Sequence, residues 1–218
     1  MKILFVWSDT AKEFNCSNMR CFIPALALRR AGHDADLINV DVWANHQGDA
    51  DELTKAADLI IIQRNLFLLV LTCAMYWKSR GKVIAVDLDD AYTHMTEATG
   101  SPSYNFWING KVQEANGNNM VIKPPPVEIL KWGVKIVDAV IAPSHVLCDD
   151  WKDYARTYYA PNYLDLRHYK RKTVYKEPGS VYIGWGGSKG HTLSWTASGL
   201  PLALKQLCNE NKLLRVVM

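Results

Sequence analysis

Asp58-Leu59-Ile60-Ile61-Ile62-Gln63-Arg64, a helical stretch from about Phe67 to Arg80 closed by Gly81, and then Lys82-Val83-Ile84-Ala85-Val86-Asp87-Leu88-Asp89-Asp90 together decide the fold. The two flanks are short, continuous apolar runs, the pattern of strands buried on both faces. The segment between them is long enough for a helix and stops at a glycine. A strand, a helix and a strand in this order read as a parallel unit, because parallel neighbours need a long crossover.

The same theme extends outward. Toward the amino terminus, Ile3 to Trp7 reads as a strand, Met19, Phe22, Ile23 and Leu26 fall at helical spacing before Gly32, and Leu37 to Val40 reads as a second strand. Toward the carboxyl terminus the pattern lapses from Tyr92 to Lys123, which is polar, aromatic and rich in Asn and Gly. Loops of that length in a compact domain tend to be functional or mobile. Order resumes with a helix from about Pro126 to Val137, the strand Asp138 to Ala142, a helix from His145 to Tyr154 capped by Ser144, and the short strand Thr157 to Tyr159. The expectation is an α/β fold, a Rossmann-like parallel sheet with helices on both faces over residues 1–160. A linker over 161–180 follows. Val181 to Trp185, a glycine-bearing turn, a helix from Ser194 to Cys208 and Leu213 to Met218 then read as the incomplete start of a second Rossmann-like domain, 181–218.

Composition narrows the function class. With 49% hydrophobic and 22% charged residues, a net charge of +3 and no run of five like charges, nothing implies nucleic acid. The basic segment Arg167 to Lys172 reads as a solvated connector that could touch phosphates or an anionic membrane surface. Five cysteines without a Cys-x-x-Cys pair suggest neither a disulfide framework nor a zinc site, and fit a reducing cytoplasm. The apolar run after Met1-Lys2 is too short for a secretory signal. Leu66 to Trp77 spans about a dozen residues where a bilayer crossing needs about 20, so it is expected to be a buried helix. The apolar strand at the carboxyl end presents an edge that invites pairing with a second copy.

In parallel sheets ligands bind beyond the carboxyl ends of the strands. Those ends carry Ser8, Asp9, Asn39, Asp41, Arg64, Asn65, the cluster Asp87 to Asp90, and Ser144. The cluster admits several readings: an Asp-x-Asp for Mg²⁺ or Mn²⁺, acceptor-orienting or basic carboxylates, or a turn that only caps local structure. Val83 to Asp90 also resembles the first motif of haloacid dehalogenase-type phosphatases, with Asp87 as nucleophile and Asp89 as acid/base. No acidic pair that would complete that motif set follows downstream. His94 beside the cluster is a candidate ligand residue, and Tyr92, Tyr104, Phe106 and Trp107 could stack on a sugar or pack among themselves as a lid. At the second strand the loop Gly184 to His191 could approach an anion through its backbone, or only turn tightly.

Tyr159-Ala160-Pro161-Asn162-Tyr163-Leu164-Asp165, trailed by aromatics, resembles the Pro-Asn-x-x-Asp hinge of GT-B glycosyltransferases. Asp58 to Arg64, Gly81 to Asp90 and Val137 to Ser144 are similar to the amino-terminal domain of the family 4-like group, and Ile183 to Ser188 with His191 to the opening of its carboxyl-terminal domain. The resemblance implies transfer of a sugar from a nucleotide-diphosphate-sugar donor to an acceptor hydroxyl of a glycan, lipid or small molecule. It implies no cofactor and no metal. It puts Asp9, Arg64 and His94 on the acceptor side, Asp89 and Asp90 at the chemistry, and Gly186, Gly187, Ser188, Lys189 and His191 against the donor. Many members of the family carry a His where this chain has Asp87 to Asp90. The family's diphosphate-neutralising basic residues and paired glutamates fall beyond position 218.

Overall fold

The computed structural model describes residues 1–9, 15–95, 102–113, 117, 119–164, 166–167, 177–186, 195–196 and 198–217. Six parallel strands form the central sheet: β1 (Lys2–Trp7), β2 (Asp34–Asn39), β3 (Leu59–Gln63), β4 (Val83–Asp87), β7 (Ala139–Ala142) and β8 (Thr157–Tyr159), in the spatial order β2-β1-β3-β4-β7-β8. The register runs through Phe5 opposite Leu37 and Ile61, Ile61 opposite Ala85, Ala85 opposite Ala139, and Ile141 opposite Tyr158. This is the Rossmann-like α/β architecture, with strand order reversing between β1 and β3.

That order distributes the helices. Parallel crossovers are right-handed, so the direction of each step fixes the face its helix covers. Only the step from β1 to β2 runs backward, and among the described helices only its segment, α1 (Ile23–Arg30) with the π-helical turn Asn18–Phe22 ahead of it, packs on one face. Ile3, Phe5, Ala35, Ile61, Ala85 and Ala139 meet Cys21 and Ala25 there. The other face takes α2 (Val40–Ala44), α3 (Ala50–Ala56), α4 (Leu68–Lys78), α6 (Pro126–Ile136) and α7 (His145–Trp151). Leu4, Val6, Ile60, Ile62, Ile84, Val86 and Val140 form a larger core there with Trp43, Val70, Trp77, Leu130 and Trp151. Helices lie on both faces as expected, but very unequally.

Local chemistry explains the boundaries. Asn39 caps α2 by accepting from the Asp41 amide at 2.9 Å, and Ser144 caps α7 by accepting from the Leu147 amide at 3.2 Å. Gly81 ends α4 with φ +80°, a left-handed conformation that glycine adopts without a Cβ penalty. Within the larger core, the Trp43 indole donates to Thr54 Oγ1 at 3.0 Å and Thr54 in turn donates to the Ala50 carbonyl at 2.6 Å.

Some expectations need correction. Val40 starts α2 rather than ending β2, and α2 and α3 occupy a stretch with no element expected. The lapse from Tyr92 to Lys123 contains α5 (Pro102–Trp107) and an antiparallel hairpin of β5 (Lys111–Gln113) and β6 (Asn119–Val121). At three to seven residues, these elements are too short for a periodic signal. Further on, β9 (Val181–Gly184) and β10 (Leu214–Val217) pair in parallel on either side of α8 (Leu200–Glu210), later than the helix expected from Ser194. Among the described residues, β10 pairs only with β9. No described helix is long and apolar enough to cross a membrane.

Candidate functional site

The reversal of strand order between β1 and β3 opens a crevice at their carboxyl ends, the place where open parallel sheets bind ligands. A cavity of about 300 Å³ lies there. Ser8 and Asp9 reach it from β1, Arg64, Asn65 and Phe67 from β3, Asp90 and Tyr92 from β4, and Phe106 and Trp107 from α5.

Its polar wall is built by a buried network. Gln63 closes β3 with no exposed surface; its amide nitrogen donates to Asp9 Oδ2 at 3.0 Å, and its carbonyl oxygen accepts from the Ser8 amide at 3.0 Å and from Ser17 Oγ at 2.6 Å. The Ser17 amide donates to Asp9 Oδ2 at 2.8 Å. The other Asp9 oxygen accepts from Arg64 Nη2. Asp9 is thereby fixed from three sides and neutralised by Arg64. Arg64 has φ +40°, and the Asn65 amide donates to the Gln63 carbonyl at 2.5 Å across it. Such γ-turns are rare and strained, and backbone strain of this kind clusters at functional sites. Its consequence is that the Arg64 guanidinium, 25% exposed, turns back over the end of the sheet toward Asp9 and the cavity.

The acidic cluster divides into three roles. Asp87 is buried in a fork with Arg20: Nε donates to Oδ1 at 2.7 Å and Nη2 to Oδ2 at 2.6 Å. Burial alone would lower the Arg20 guanidinium, yet hydrogen bonding and charge from Asp87 leave it raised. Burial pushes the Asp87 carboxyl up further than the fork pulls it back, leaving it at about 6. With both oxygens engaged by a guanidinium, the carboxylate is the form present at neutral pH. Both Asp87 oxygens thus accept from Arg20, and Asp87 does not line the cavity. Asp89, only 8% exposed, accepts from the Tyr92 hydroxyl at 2.9 Å and lies 4.0 Å from Arg64 Nη1. Asp90 is exposed at the cavity mouth, and its carboxylate has no hydrogen-bond or ion-pair partner among the described residues. Its carboxyl is nonetheless crowded by protein atoms, and that desolvation, then the charge of Asp89, raises it against the opposing pull of Arg64. No group of three or more potential metal-ligating side chains occurs among the described residues.

The apolar wall is aromatic. Trp107 lies 4.4 Å from Tyr92 and 5.9 Å from Phe67 between ring centroids, and Phe106 meets Phe67 edge-on at 5.7 Å. The rings pack on one another, and Phe67, Tyr92, Phe106 and Trp107 still line the cavity. Burial, then the charges of Asp89 and Asp90, pushes the Tyr92 hydroxyl up, so it remains a donor at any physiological pH.

The structure thus brings together Asp9, Arg64 and Asp90, with Asp89 one layer behind. It places His94 elsewhere: His94 is 64% exposed and bonds Asp150 on α7 at 3.1 Å, away from the cavity. Gly186 is described, and a Cβ added there would meet nothing within 4 Å, so no close backbone approach requires a glycine. Gly187, Ser188, Lys189 and His191 lie outside the described residues, as do positions 168–172 of the basic segment. Ser17, Gln63 and Arg20 escaped the sequence reading. Their one available signal was a polar side chain within an otherwise apolar strand or helix pattern. Arg20 also reaches the segment after β8, donating through Nη1 to the Ala160 carbonyl at 2.7 Å and to Asn162 Oδ1 at 2.9 Å.

In comparisons with known proteins, no family model and no curated protein matches this chain.

Proposed function

We propose that this chain carries the acceptor side of a glycosyltransferase, transferring a sugar from a nucleotide-diphosphate-sugar donor to an acceptor hydroxyl. The observation that carries the reading is the cavity at the strand-order reversal, lined by aromatic rings, a carboxylate without a partner among the described residues and an ion-paired arginine. Stacking surfaces beside fixed polar groups suit a polyhydroxylated ring. A nucleotide diphosphate fits this cavity poorly, because Asp9 and Asp90 outnumber Arg64. The donor diphosphate belongs instead near the Gly186 loop, by resemblance to the family's donor side.

In this reading Asp90 accepts the proton of the attacking acceptor hydroxyl as the new bond to the anomeric carbon forms. The bond from that carbon to the diphosphate oxygen breaks, and the diphosphate leaves with the electron pair. Asp89 acts as a positioning residue by fixing Tyr92, and Asp9 does the same for Arg64.

The test is nucleotide release from UDP- and GDP-sugars in the presence of sugar acceptors, with and without chelator. Acceptor-dependent release is expected, reduced about 10²- to 10⁴-fold in Asp90→Asn, the range that removal of a general base gives. No release from any donor would refute the reading. Release that survives chelator would remove any role for a divalent cation.

A further inference from the structure

The charge of the cavity specifies its ligand further. Among the described residues, Asp9, Asp90 and, behind Tyr92, Asp89 stand against one guanidinium, that of Arg64. Asp9 is saturated by Ser17, Gln63 and Arg64, and Asp89 receives the Tyr92 hydroxyl. The Asp90 carboxylate feels the charge of Arg64 but has no hydrogen bond or ion pair among the described residues, on a chain whose overall charge is +3. An anionic ligand would meet a repulsive field here, and a neutral one would leave Asp90 as it stands. The rings of Phe67, Tyr92, Phe106 and Trp107 line the same cavity, and aromatic rings attract a cation by their quadrupoles.

We infer that the ligand of this cavity is a hydroxylated primary amine, an amino sugar being the simplest kind, with its ammonium between the aromatic wall and Asp90 and its hydroxyls toward Ser8 and Asn65. The inference rests on the acceptor reading above and names the class of acceptor. It also suits the chemistry: an ammonium beside Asp90 offsets the desolvation and the Asp89 charge that raise its carboxyl, and holds it in the ionised form a base requires.

The test is calorimetric titration of the intact chain with glucosamine, glucose, N-acetylglucosamine and glucose 6-phosphate. Glucosamine should bind about tenfold more tightly than either neutral sugar, the scale of one desolvated cation–π contact. Glucose 6-phosphate should bind weakest. The preference should shrink in high salt and in Asp90→Asn, whose exposed position leaves the fold intact. Equal affinities, a preference for the phosphate ester, or no binding of the amine at millimolar concentration would overturn the inference. Nucleotide release with no amine preference would retain the transferase and remove this ligand class. Amine preference without release would do the reverse.

Discussion

Single residues at the strand ends carry the most testable chemistry. Asp90 has no ion pair among the described residues, and its carboxyl is raised above its value in an unfolded chain by desolvation and the charge of Asp89. A raised carboxyl costs stability once pH exceeds it, and the cost disappears as pH falls below the unfolded value. Asp90→Asn is therefore expected to be neutral or slightly stabilising at pH 7, by less than about 1 kcal/mol given its exposure, with no gain at pH 3. Urea unfolding midpoints at the two pH values check it, and a clear loss at pH 7 would mean that Asp90 holds the fold together. Cys16 lies in a second cavity, of about 260 Å³, with Asp89 and Asn162. Burial, then the carboxylates of Asp89 and Asp90, pushes its thiol up to about 12. At pH 8 almost none is thiolate, so alkylation at Cys16 should be slow and should quicken in Asp89→Asn. Mass-spectrometric mapping of iodoacetamide labelling reads both rates.

Among the elements, the contact between α6 and the loop ahead of α4 offers a test of packing. A Cβ on Gly133 would lie 2.9 Å from Leu66 Cβ and Cδ1, and Leu66 is fully buried. Gly133→Ala gains about 1 kcal/mol in helix propensity but forces the core apart, at a cost of about 1–3 kcal/mol. Because the clash includes Leu66 Cβ, which no rotamer can move, overpacking should win. A net loss of about 1 kcal/mol in urea unfolding is expected, and a more stable variant would contradict the packing. The two helix caps tell a related story. Asn39 and Ser144 sit at strand ends where a ligand might be sought, yet both oxygens are spent on α2 and α7. A polar residue at a strand end is a site residue only when the following helix leaves it free.

At the scale of the whole molecule, Arg20 joins distant parts of the chain. Its guanidinium makes two bonds to Asp87 at the end of β4, one to the Ala160 carbonyl and one to Asn162 in the segment after β8. Removing it leaves a buried carboxylate without its cation. Arg20→Ala should cost about 3–5 kcal/mol, and Arg20→Lys should recover only part because an ammonium cannot make the fork. Unfolding followed by tryptophan fluorescence measures this, and a change below 1 kcal/mol for Arg20→Ala would show that the fork contributes little.

The apolar runs of β1, β3, β4 and β7, the helix breaker Gly81 and the Pro126 start of α6 were legible in the sequence, because burial on both faces and helix termination leave local compositional marks. Asp9, Arg64 and Asp90 were legible as candidates for the same reason, since a strand's carboxyl end can be found by reading along it. Three things were not legible: the strand order that reverses between β1 and β3, the departure of Asp87 and His94 from the cavity, and the network of Ser17, Gln63 and Arg20 behind it. Each depends on which distant segments become neighbours. Sequence by itself determined the strands of the central sheet, most of the helices and the end of the sheet to search. Tertiary structure decided which carboxylate stays free, because a carboxylate's role is set by the cation or hydroxyl that the fold brings against it.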